Sequence, residues 1–474
     1  MRLIRVAIIG GGVTGMTAAY HLQEQSKERG LPLECTLFEA TSRIGGKIQT
    51  HRDQKFWIEL GPDSIFTAKP DGVTLLRELG ISDQIIHAVS GQTSLARNHT
   101  LFPIPRDLYM GIPARWSAMA MSPLLSPRGK LRALGDLVLP RTSELETLSL
   151  GHLLRLRFGH EVVEQIAAPL LAGIHAADID RMGIADATPA IEHLIRTHRS
   201  LLLGAKRSKK RTQRPASQSA SSPFISLQGG LSTLTEALFA KTNEFVHYKT
   251  NAPVKQLKKN PDGSYTFVYL SDNVPTRFEA DAVILATPAH AAAAIVETLG
   301  ITTDLLPSIR YASTATVILG FAAATFPEQR EMTGFLVPRS AGLSITACTV
   351  VTTKWPSSLD QKQVVVRCYV GRDGSEEILK QSDEDIVKAV EDDLHAIWKV
   401  KRTPAFYRLT RWPISMPQYD VGHANRVARM EQALHDFPGL AMAGAAYRGM
   451  GIPDCIKDGK RAATHVLKHV TQIE

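Results

Sequence analysis

The chain has 474 residues, of which 44% are hydrophobic and 21% charged, a composition typical of a soluble globular protein with two or three domains. Its apolar runs are short or broken by prolines and never reach the roughly 18 uninterrupted apolar residues of a spanning helix, so no transmembrane segment is predicted. The formal net charge of +9 favours an anionic partner but does not choose between nucleic acid, a membrane surface and an acidic small molecule.

The cysteines and the start of the chain indicate the cellular setting. Four cysteines are scattered without a CxxC pair or histidines at zinc spacing, so we expect reduced thiols, a cytoplasmic protein and no metal site. Glycines interrupt the short apolar start and no small-residue cleavage site follows, which argues against a signal peptide.

The first 40 residues predict a βαβ unit. Residues 5–9 form a short apolar strand, residues 13–25 have helical spacing, and residues 34–38 form a second strand that ends at Glu39. Such a unit is the core of dinucleotide-binding domains, although a glycine-rich turn between a strand and a helix is also compatible with a purely structural role.

Three glycines at GxGxxG spacing join the first strand to the helix. Gly10 makes the turn, Gly12 lets the backbone approach a pyrophosphate, and Gly15 permits close helix packing. The helix N-terminus faces the phosphates, and Glu39 accepts hydrogen bonds from ribose hydroxyls. Strand, glycines, helix and terminal acid together favour a bound dinucleotide over a structural turn.

The loop after Glu39 distinguishes between the common dinucleotides. It reads "ATSRIGGKIQT", with Gly45 and Gly46 between Arg43 and Lys47, and "IELGPDS" follows at residues 58–64. Simple NAD-dependent dehydrogenases continue from the second strand into another helix. Here a basic, glycine-paired loop is able to reach the same diphosphate from the other side, which favours FAD.

These motifs resemble the FAD-containing amine oxidase and protoporphyrinogen oxidase superfamily. "GGKIQT", "GPDS", "LLAGIHAADID", "SITACT", "SMPQYDVGH" and "GIPDCIKDGK" recur in the order found in the bacterial oxygen-dependent coproporphyrinogen III oxidases, also described as soluble protoporphyrinogen oxidases. The resemblance covers nearly the whole chain. The first motif is common to many flavoproteins, whereas the last four are more specific.

The resemblance implies a mixed α/β and α+β fold with three parts. A discontinuous Rossmann-like FAD-binding domain takes residues 1–65, 223–300 and 437–474. A mixed-sheet substrate domain takes residues 66–99 and 301–436. A largely helical insertion, which docks on the bilayer in membrane-bound relatives, takes residues 100–222 and is expected here to make at most peripheral membrane contact.

The helical insertion ends in a basic and serine-rich tract at residues 205–222. "KRSKKRTQR" runs into "PASQSASS", a polar segment that cannot bury enough surface to order itself, so a mobile loop is predicted. A solvated loop is favoured over nucleic-acid binding because no aromatic side chains interleave with the charges.

The C-terminal segment predicts the flavin end of the site. It passes from a strand through Gly444 into a helix with Pro453 and Asp454 at its start. Proline suits the first helical turn, and the free backbone N–H groups there stabilise negative charge on a reduced flavin. Ile452, Pro453 and Asp454 are thus predicted to contact the isoalloxazine ring through their backbone, with a purely structural helix start as the alternative.

On this basis we predict that FAD binds non-covalently. The predicted cofactor-binding residues are Gly10, Gly11, Gly12, Val13, Thr14, Gly15, Glu39, Ala40, Arg43, Gly45, Gly46, Lys47, Gly61, Pro62, Asp63, Ser64, Val254, Trp412, Gly444, Ile452, Pro453 and Asp454. For Val254 and Trp412, an ordinary core position is equally compatible with the sequence.

Three residues are substrate-binding candidates. Gly173 in "LLAGIHAAD" lets a macrocycle lie against the backbone, although it also suits a helix end. Lys69 and Arg367 are candidate partners for substrate carboxylates, with surface solvation as the alternative. His175 is more often a packed histidine than an acid or base, and no catalytic dyad is assigned.

The resemblance also implies the reaction. Hydride passes from a bridging methylene of a porphyrinogen to flavin N5, and three rounds remove six electrons to leave an aromatic porphyrin. No second GxGxxG unit offers an NADPH site, so molecular oxygen is the expected acceptor, giving hydrogen peroxide. Coproporphyrinogen III is favoured as substrate, and transient product transfer to a ferrochelatase is expected. Protoporphyrinogen IX oxidation, a flavin amine oxidase and a binding module that escorts prenylated proteins are the alternatives.

Overall fold

The computed structural model describes most of the chain and divides it into two compact units. Unit 1 comprises Met1–His87, Pro223–Ile309 and Ala424–Glu474, and unit 2 comprises Ala88–Ser222 and Arg310–His423. The described residues are 2–53, 56–105, 107–109, 111–142, 145–212, 222–301, 305–323, 332–356, 362–399 and 403–472.

The strands, in chain order, are β1 (Ile4–Ile9), β2 (Leu33–Phe38), β3 (Thr50–Arg52), β4 (Trp57–Glu59), β5 (Ile65–Phe66), β6 (Ile85–His87), β7 (Gln92–Arg97), β8 (Thr100–Pro103), β9 (Leu108–Tyr109), β10 (Ile112–Pro113), β11 (Phe224–Leu227), β12 (Val246–Lys249), β13 (Val254–Lys259), β14 (Tyr265–Ser271), β15 (Val274–Ala280), β16 (Ala282–Leu285), β17 (Tyr311–Ala322), β18 (Met332–Leu336), β19 (Ile345–Val350), β20 (Gln363–Val370), β21 (Phe406–Pro417) and β22 (Leu440–Met442).

The α-helices are α1 (Val13–Arg29), α2 (Pro70–Glu78), α3 (Trp116–Ala120), α4 (Pro127–Ala133), α5 (Leu150–Phe158), α6 (His160–Val162), α7 (Ala168–His175), α8 (Ile184–Ala187), α9 (Pro189–Thr197), α10 (Leu201–Thr212), α11 (Ser232–Thr242), α12 (Ala289–Val296), α13 (Val351–Lys354), α14 (Asp383–Trp398), α15 (His423–Ala433) and α16 (Ile452–Val470).

Unit 1 is built on a five-stranded sheet in the order β12-β2-β1-β16-β22. All of its pairings are parallel, with Val6 of β1 opposite Cys35 of β2 on one side and Ala282 of β16 on the other. The central strand β1 is almost entirely buried, as expected for a parallel sheet that is covered on both faces. The order of the sheet reverses at β1, and ligands of such sheets bind at the carboxyl ends of the strands beside this switch point.

Helices and a small antiparallel sheet complete the core of unit 1. Helix α1 packs against α16 and α11, and strands β13, β14 and β15 form a three-stranded antiparallel sheet. Phe38 at the end of β2 is buried, and its ring lies 5.0 Å from that of Phe267 and 4.9 Å from that of Tyr269. These aromatic contacts join the end of the parallel sheet to the antiparallel sheet.

Unit 2 contains a seven-stranded mixed sheet in the order β21-β17-β20-β19-β18-β7-β8. Its pairings are antiparallel except for that between β18 and β7. Helix α14 packs its apolar side on this sheet through Ile386 and Val390, which share a buried cluster with Val317 and Val366. The helix begins at a capped position, because the Ser382 hydroxyl accepts the N–H of Asp385.

The remainder of unit 2 is largely helical. Asp136, which is fully buried, accepts a hydrogen bond from the Ser200 hydroxyl at 2.6 Å and faces the guanidinium of buried Arg157 at 3.5 Å. Helix α7 is preceded by a π-helical turn over Val163–Ala167. Pro169 lies just after this turn and has no N–H to donate, a usual cause of such an irregularity within a helix.

The mixed α/β and α+β fold class predicted from the sequence is confirmed, and the boundaries between its parts differ. Residues 66–87, 305–309 and 424–436 lie in unit 1, and Leu75 and Leu76 of α2 are buried in its core. The predicted mobile loop at 205–222 is wrong for its first part, because α10 continues to Thr212, with Ala205 buried and Lys209 paired with Asp107 at 2.7 Å. Residues 213–221 lie outside the described residues.

Across the described ranges, the helices are either too short or too polar to traverse a lipid bilayer.

Candidate functional site

The glycine-rich turn lies at the switch point of the parallel sheet in unit 1. Gly10 follows β1 directly and has a φ of 113°, a conformation that side chains rarely adopt. A Cβ atom on Gly10 would lie 2.5 Å from the carbonyl oxygen of Ala286, which follows β16. Glycine is therefore required here both for the backbone conformation and for the close approach of the neighbouring strand.

Gly15 and Gly12 have different surroundings on the same helix start. A Cβ on Gly15 would lie 2.0 Å from the carbonyl oxygen of Gly10, so Gly15 lets α1 approach the end of β1. A Cβ on Gly12 would have Gly46 Cα as its nearest neighbour, at 3.9 Å, and Gly12 has an ordinary φ of −74°. The chain itself therefore has room for a side chain at Gly12, and this open space is where the sequence predicts the diphosphate.

The start of α1 is prepared for an anion. Among the described residues, no side chain caps the helix at Gly12, so its first N–H groups remain available. The 17-residue helix also places the positive end of its dipole there.

Glu39 closes β2 as predicted and has a structural role as well. One carboxylate oxygen accepts the N–H of Gly11 at 2.8 Å, and the other accepts the N–H and the hydroxyl of Thr41 at 2.9 Å and 2.8 Å. A carboxylate has about four acceptor positions. Glu39 can thus hold the glycine turn and still accept from a ribose hydroxyl.

The second glycine loop lies directly against the first. Gly45 and Gly12 form an isolated parallel bridge, and the N–H of Gly45 donates to the carbonyl of Gly11 at 2.7 Å. A Cβ on Gly46, which has a φ of 58°, would lie 2.9 Å from Gly12 Cα. The sequence prediction that both loops approach one diphosphate is therefore consistent with the geometry.

The two basic residues of this loop differ in role. The Arg43 guanidinium donates to the carbonyl oxygens of Gly46 at 2.5 Å and Ile48 at 3.1 Å, so Arg43 fixes the loop itself. Lys47 is partly buried, and this desolvation lowers the pKa of its ammonium group, with the Cys455 thiol opposing the shift. The Lys47 ammonium group is thus within electrostatic range of Cys455 in the first turn of α16.

Helix α16 brings its N-terminus to the same region of unit 1. Pro453 occupies its first turn, and the carboxylate of Asp454 accepts the N–H of Gly451 at 3.2 Å. Lys69 forms an ion pair with Asp454 at 2.6 Å. The Asp454 side chain is occupied by these contacts, and a backbone contact of Asp454 with a flavin stays a prediction.

Two residues that the sequence analysis did not identify hold α16 in its place. A Cβ on Gly459 would lie 2.3 Å from the carbonyl oxygen of Thr14, so Gly459 allows α16 to cross α1 closely. Asp458, 3% exposed, accepts the N–H of Gly444 at 2.8 Å and pairs with Arg448 at 2.9 Å. The available signal is an acid on the apolar side of a helix, three residues after Cys455 and four before Ala462.

Cys455 lies in the first turn of α16, where the flavin ring is predicted. It is buried, and this burial raises the pKa of its thiol to about 11, while a side-chain hydrogen bond with Thr14 acts in the opposite direction. A protonated, buried thiol is a poor nucleophile. This environment favours the predicted non-covalent cofactor over a cysteinyl linkage.

The remaining predicted residues fall in both units. Ala40 lies on the surface beside Glu39, Val254 begins β13, and Gly61, Pro62, Asp63 and Ser64 join β4 to β5 in unit 1. Trp412, Gly173 and Arg367 lie in unit 2.

The three unit 2 candidates have distinct environments. Trp412 lies in β21 opposite Thr314 and is partly buried. Gly173 is an exposed position within α7, and its φ is not positive, so it does not end the helix; Ala176, with a φ of 48°, follows the helix instead. Arg367, in β20, is 3% exposed, and its guanidinium lies 4.8 Å from the centre of the Tyr369 ring.

The described residues fit a dinucleotide in unit 1. Both glycine loops meet around the open side of Gly12. The N-termini of α1 and α16 lie close together, because Cys455 hydrogen-bonds Thr14, and Lys47 supplies a cation. Glycines 10, 12, 15, 45 and 46 with Glu39 and Lys47 would hold the diphosphate and ribose, and the first turn of α16 would hold the electron-accepting ring.

Known proteins are similar to this chain over nearly its full length. The family model of the flavin-containing amine oxidoreductases matches residues 13–467. The chain is 37% identical to the coproporphyrinogen III oxidase of Bacillus subtilis (strain 168) and 32% identical to that of Staphylococcus aureus (strain NCTC 8325 / PS 47), covering 98% of both chains in each case. A crystal structure named as a protoporphyrinogen oxidase, from Exiguobacterium sp. 255-15, superimposes with a TM-score of 0.85 at 33% identity over 98% of each chain.

These matches confirm the fold class and the cofactor, FAD, that the glycine motifs predict. With the family match spanning nearly its full length, the chain belongs to the flavin-containing amine oxidoreductases.

Proposed function

We propose that this protein oxidises coproporphyrinogen III to coproporphyrin III with molecular oxygen, releasing hydrogen peroxide. The observation that carries the proposal is the similarity, over 98% of both chains, to relatives named coproporphyrinogen III oxidase. The two glycine loops that meet around Gly12 in unit 1 support it. Bound FAD supplies the two-electron chemistry that no described side-chain constellation offers. The chain's own residues bind and orient the reactants.

Within unit 1, the polypeptide contributes positive potential. The N-termini of α1 and α16 and the ammonium group of Lys47 stabilise negative charge on the bound cofactor. Lys69 holds the first turn of α16 through Asp454 at 2.6 Å. This pair gives Lys69 a positioning role besides its candidate role toward a substrate carboxylate.

Within unit 2, Gly173 is the substrate-facing candidate. It is exposed on α7, and a Cβ on Gly173 would have Leu336 Cδ2 as its nearest neighbour, at 3.3 Å. An exposed backbone without a side chain lets the macrocycle approach closely, and its carbonyl accepts hydrogen bonds from pyrrole N–H groups.

Protoporphyrinogen IX is the second candidate substrate, because the similar Exiguobacterium structure carries a protoporphyrinogen oxidase name. Coproporphyrinogen III has two propionates more than protoporphyrinogen IX, so its binding requires more cationic groups around its rim.

In the experiment, the purified yellow protein is given each of the two porphyrinogens and, separately, a primary amine. We expect porphyrin fluorescence to grow faster with coproporphyrinogen III, with peroxide produced alongside. Faster growth with protoporphyrinogen IX would select the second candidate, and peroxide from the amine alone would favour an amine oxidase.

We also propose a cytoplasmic protein that touches an anionic bilayer surface and passes its product to a ferrochelatase. Met121, Leu131 and Val138 are 85%, 71% and 76% exposed in the helical part of unit 2, and exposed Arg128 and Arg132 lie along the same segment. Exposed apolar and basic side chains together suit an interfacial contact. Co-sedimentation with anionic vesicles, compared with neutral ones, tests the contact; equal sedimentation with both would contradict it.

A further inference from the structure

The loop after β20 carries an arginine with unused hydrogen-bonding capacity. Arg372 follows Gly371 and is partly exposed, and its Nη1 donates to the carbonyl oxygen of Val337 at 3.2 Å. Over the described residues Arg372 forms no ion pair, and its buried Nε has no acceptor. A guanidinium has five N–H donors, so most of its donor capacity is available to a ligand.

A second arginine lies beside Arg372. Exposed Arg339 lies nearby and donates to the Asp373 carbonyl at 2.6 Å. The Asp373 carboxylate is occupied by Arg310, at 2.6 Å and 3.0 Å. Burial and, second, the charge of Arg339 lower the pKa of Arg372 to about 10, and Asp178 opposes this shift. Arg372 remains charged at neutral pH and is left short of an anion.

The loop of Arg372 adjoins helix α7, which carries the substrate candidate Gly173. Val337, which accepts from Arg372, directly follows Leu336, the residue beside Gly173. The N–H of Asp373 donates to the carbonyl of Ala176 at 2.9 Å, just beyond the end of α7. The loop of Arg372 is therefore attached to the helix that carries Gly173.

We propose that Arg372 binds a propionate carboxylate of the porphyrinogen whose macrocycle lies on Gly173. The proposal rests on the proposed function and identifies a specificity-determining residue for it. A carboxylate matches the planar guanidinium in a two-point contact, which a lysine ammonium cannot reproduce. The two carboxylate partners offered by the sequence are less suited, because Lys69 is paired with Asp454 and Arg367 is 3% exposed.

The test measures binding of the product coproporphyrin III and of its tetramethyl ester to the FAD-loaded protein, by fluorescence. Arg372→Gln removes the positive charge, and Arg372→Lys keeps the charge without the planar guanidinium that makes a two-point contact. Arg277→Gln is the matched control, because Arg277 is 66% exposed on β15 of unit 1 and pairs with Glu279. Steady-state oxidation of coproporphyrinogen III is measured in parallel.

We expect Arg372→Gln to weaken coproporphyrin III binding about 10- to 100-fold, in line with loss of a charged hydrogen bond. Ester binding should stay unchanged, Arg372→Lys should be intermediate, and KM should rise more than kcat falls. Equal losses for acid and ester would mean a structural role and overturn the proposal, as would unchanged binding of both. If the unaltered protein oxidises no porphyrinogen at all, the proposed function fails first; if it oxidises coproporphyrinogen III and Arg372→Gln has the same KM, only this inference fails.

Discussion

The two units of the protein specify their sites in different ways. In unit 1 the decisive positions are glycines whose missing side chains let backbone approach backbone, as at Gly10 and Gly15, where a Cβ would lie within 2.5 Å and 2.0 Å of a carbonyl oxygen. In unit 2 the decisive groups are charged side chains from distant segments, such as Arg310 between Asp373 and Asp420. Backbone requirements leave a compact motif in the sequence, whereas side-chain clusters leave none.

This contrast explains why the cofactor site is easier to predict from the sequence than the substrate site. A close approach of backbones admits only glycine, so its spacing is fixed by local geometry. A charge cluster needs only that its members meet after folding, and Arg310 is separated from Asp373 and Asp420 by 63 and 110 residues. Substitutions in each unit test whether the two kinds of site respond differently.

The largest effect is expected where backbone meets backbone. Gly15→Ala should yield protein that lacks FAD and unfolds at a much lower temperature, because its Cβ collides with the Gly10 carbonyl at 2.0 Å. Flavin absorbance per protein and thermal unfolding of the apoprotein measure the two effects.

Gly12→Ala is the matched control for that collision. Its Cβ has 3.9 Å to the nearest atom of the chain, so apoprotein stability should be retained. The methyl group would overlap only the diphosphate, and FAD affinity should fall about 10- to 100-fold, as for overpacking of about 1–3 kcal/mol. Full FAD affinity in Gly12→Ala would place the cofactor elsewhere.

In unit 2 the buried pair of Asp136 and Arg157 should show the largest loss from a side chain. Asp136→Ala leaves the guanidinium of Arg157 buried at 2% exposure without its carboxylate, so the free energy of unfolding should fall by about 3–5 kcal/mol. Chemical denaturation measures the loss. The double variant Asp136→Ala with Arg157→Met should recover part of it, and a double variant worse than the sum of the single ones would refute the pairing.

Glu39→Gln tests the one acidic side chain on which the unit 1 site depends. The amide keeps one acceptor toward Gly11 or Thr41 but loses the charge, so FAD affinity should fall about 10-fold, consistent with loss of about 1.5 kcal/mol from a charged hydrogen bond. Titration of apoprotein with FAD measures the change. Glu34→Gln on β2, which faces His247 at 3.8 Å, is the control and should bind FAD normally.

The smallest effect on stability is expected at Gly173. Alanine suits a helix better than glycine by about 0.5–1 kcal/mol, so Gly173→Ala should be slightly stabilised or unchanged despite the contact with Leu336 at 3.3 Å. Its kcat/KM with coproporphyrinogen III should nevertheless fall, because the methyl group lifts the macrocycle from the helix. Unchanged kcat/KM with unchanged stability would remove Gly173 from the substrate site.

Much of unit 1 was predictable because its requirements are local. The strand at 5–9, the helix from Val13 and the strand ending at Phe38 follow from hydrophobic period and glycine spacing, and all three are present as β1, α1 and β2. Asp458 and Gly459 were not identified, because their roles exist only once α16 lies across α1.

Unit 2 shows where prediction from the sequence stops. The continuation of α10 into the basic tract depends on burial of Ala205 and on an ion pair with Asp107, a residue 102 positions away from Lys209. Composition alone favoured a loop there. Similarly, the availability of Arg372 follows from the engagement of Asp373 by Arg310, which no local pattern encodes.

The decisive measurement for the proposed activity is oxygen consumption by the purified, FAD-loaded protein during oxidation of coproporphyrinogen III. We predict that oxygen uptake, peroxide release and coproporphyrin III formation proceed together, with three molecules of oxygen used for each porphyrin, since six electrons leave in pairs. No oxygen uptake above the rate of spontaneous oxidation, with FAD bound and the protein folded, would contradict that prediction.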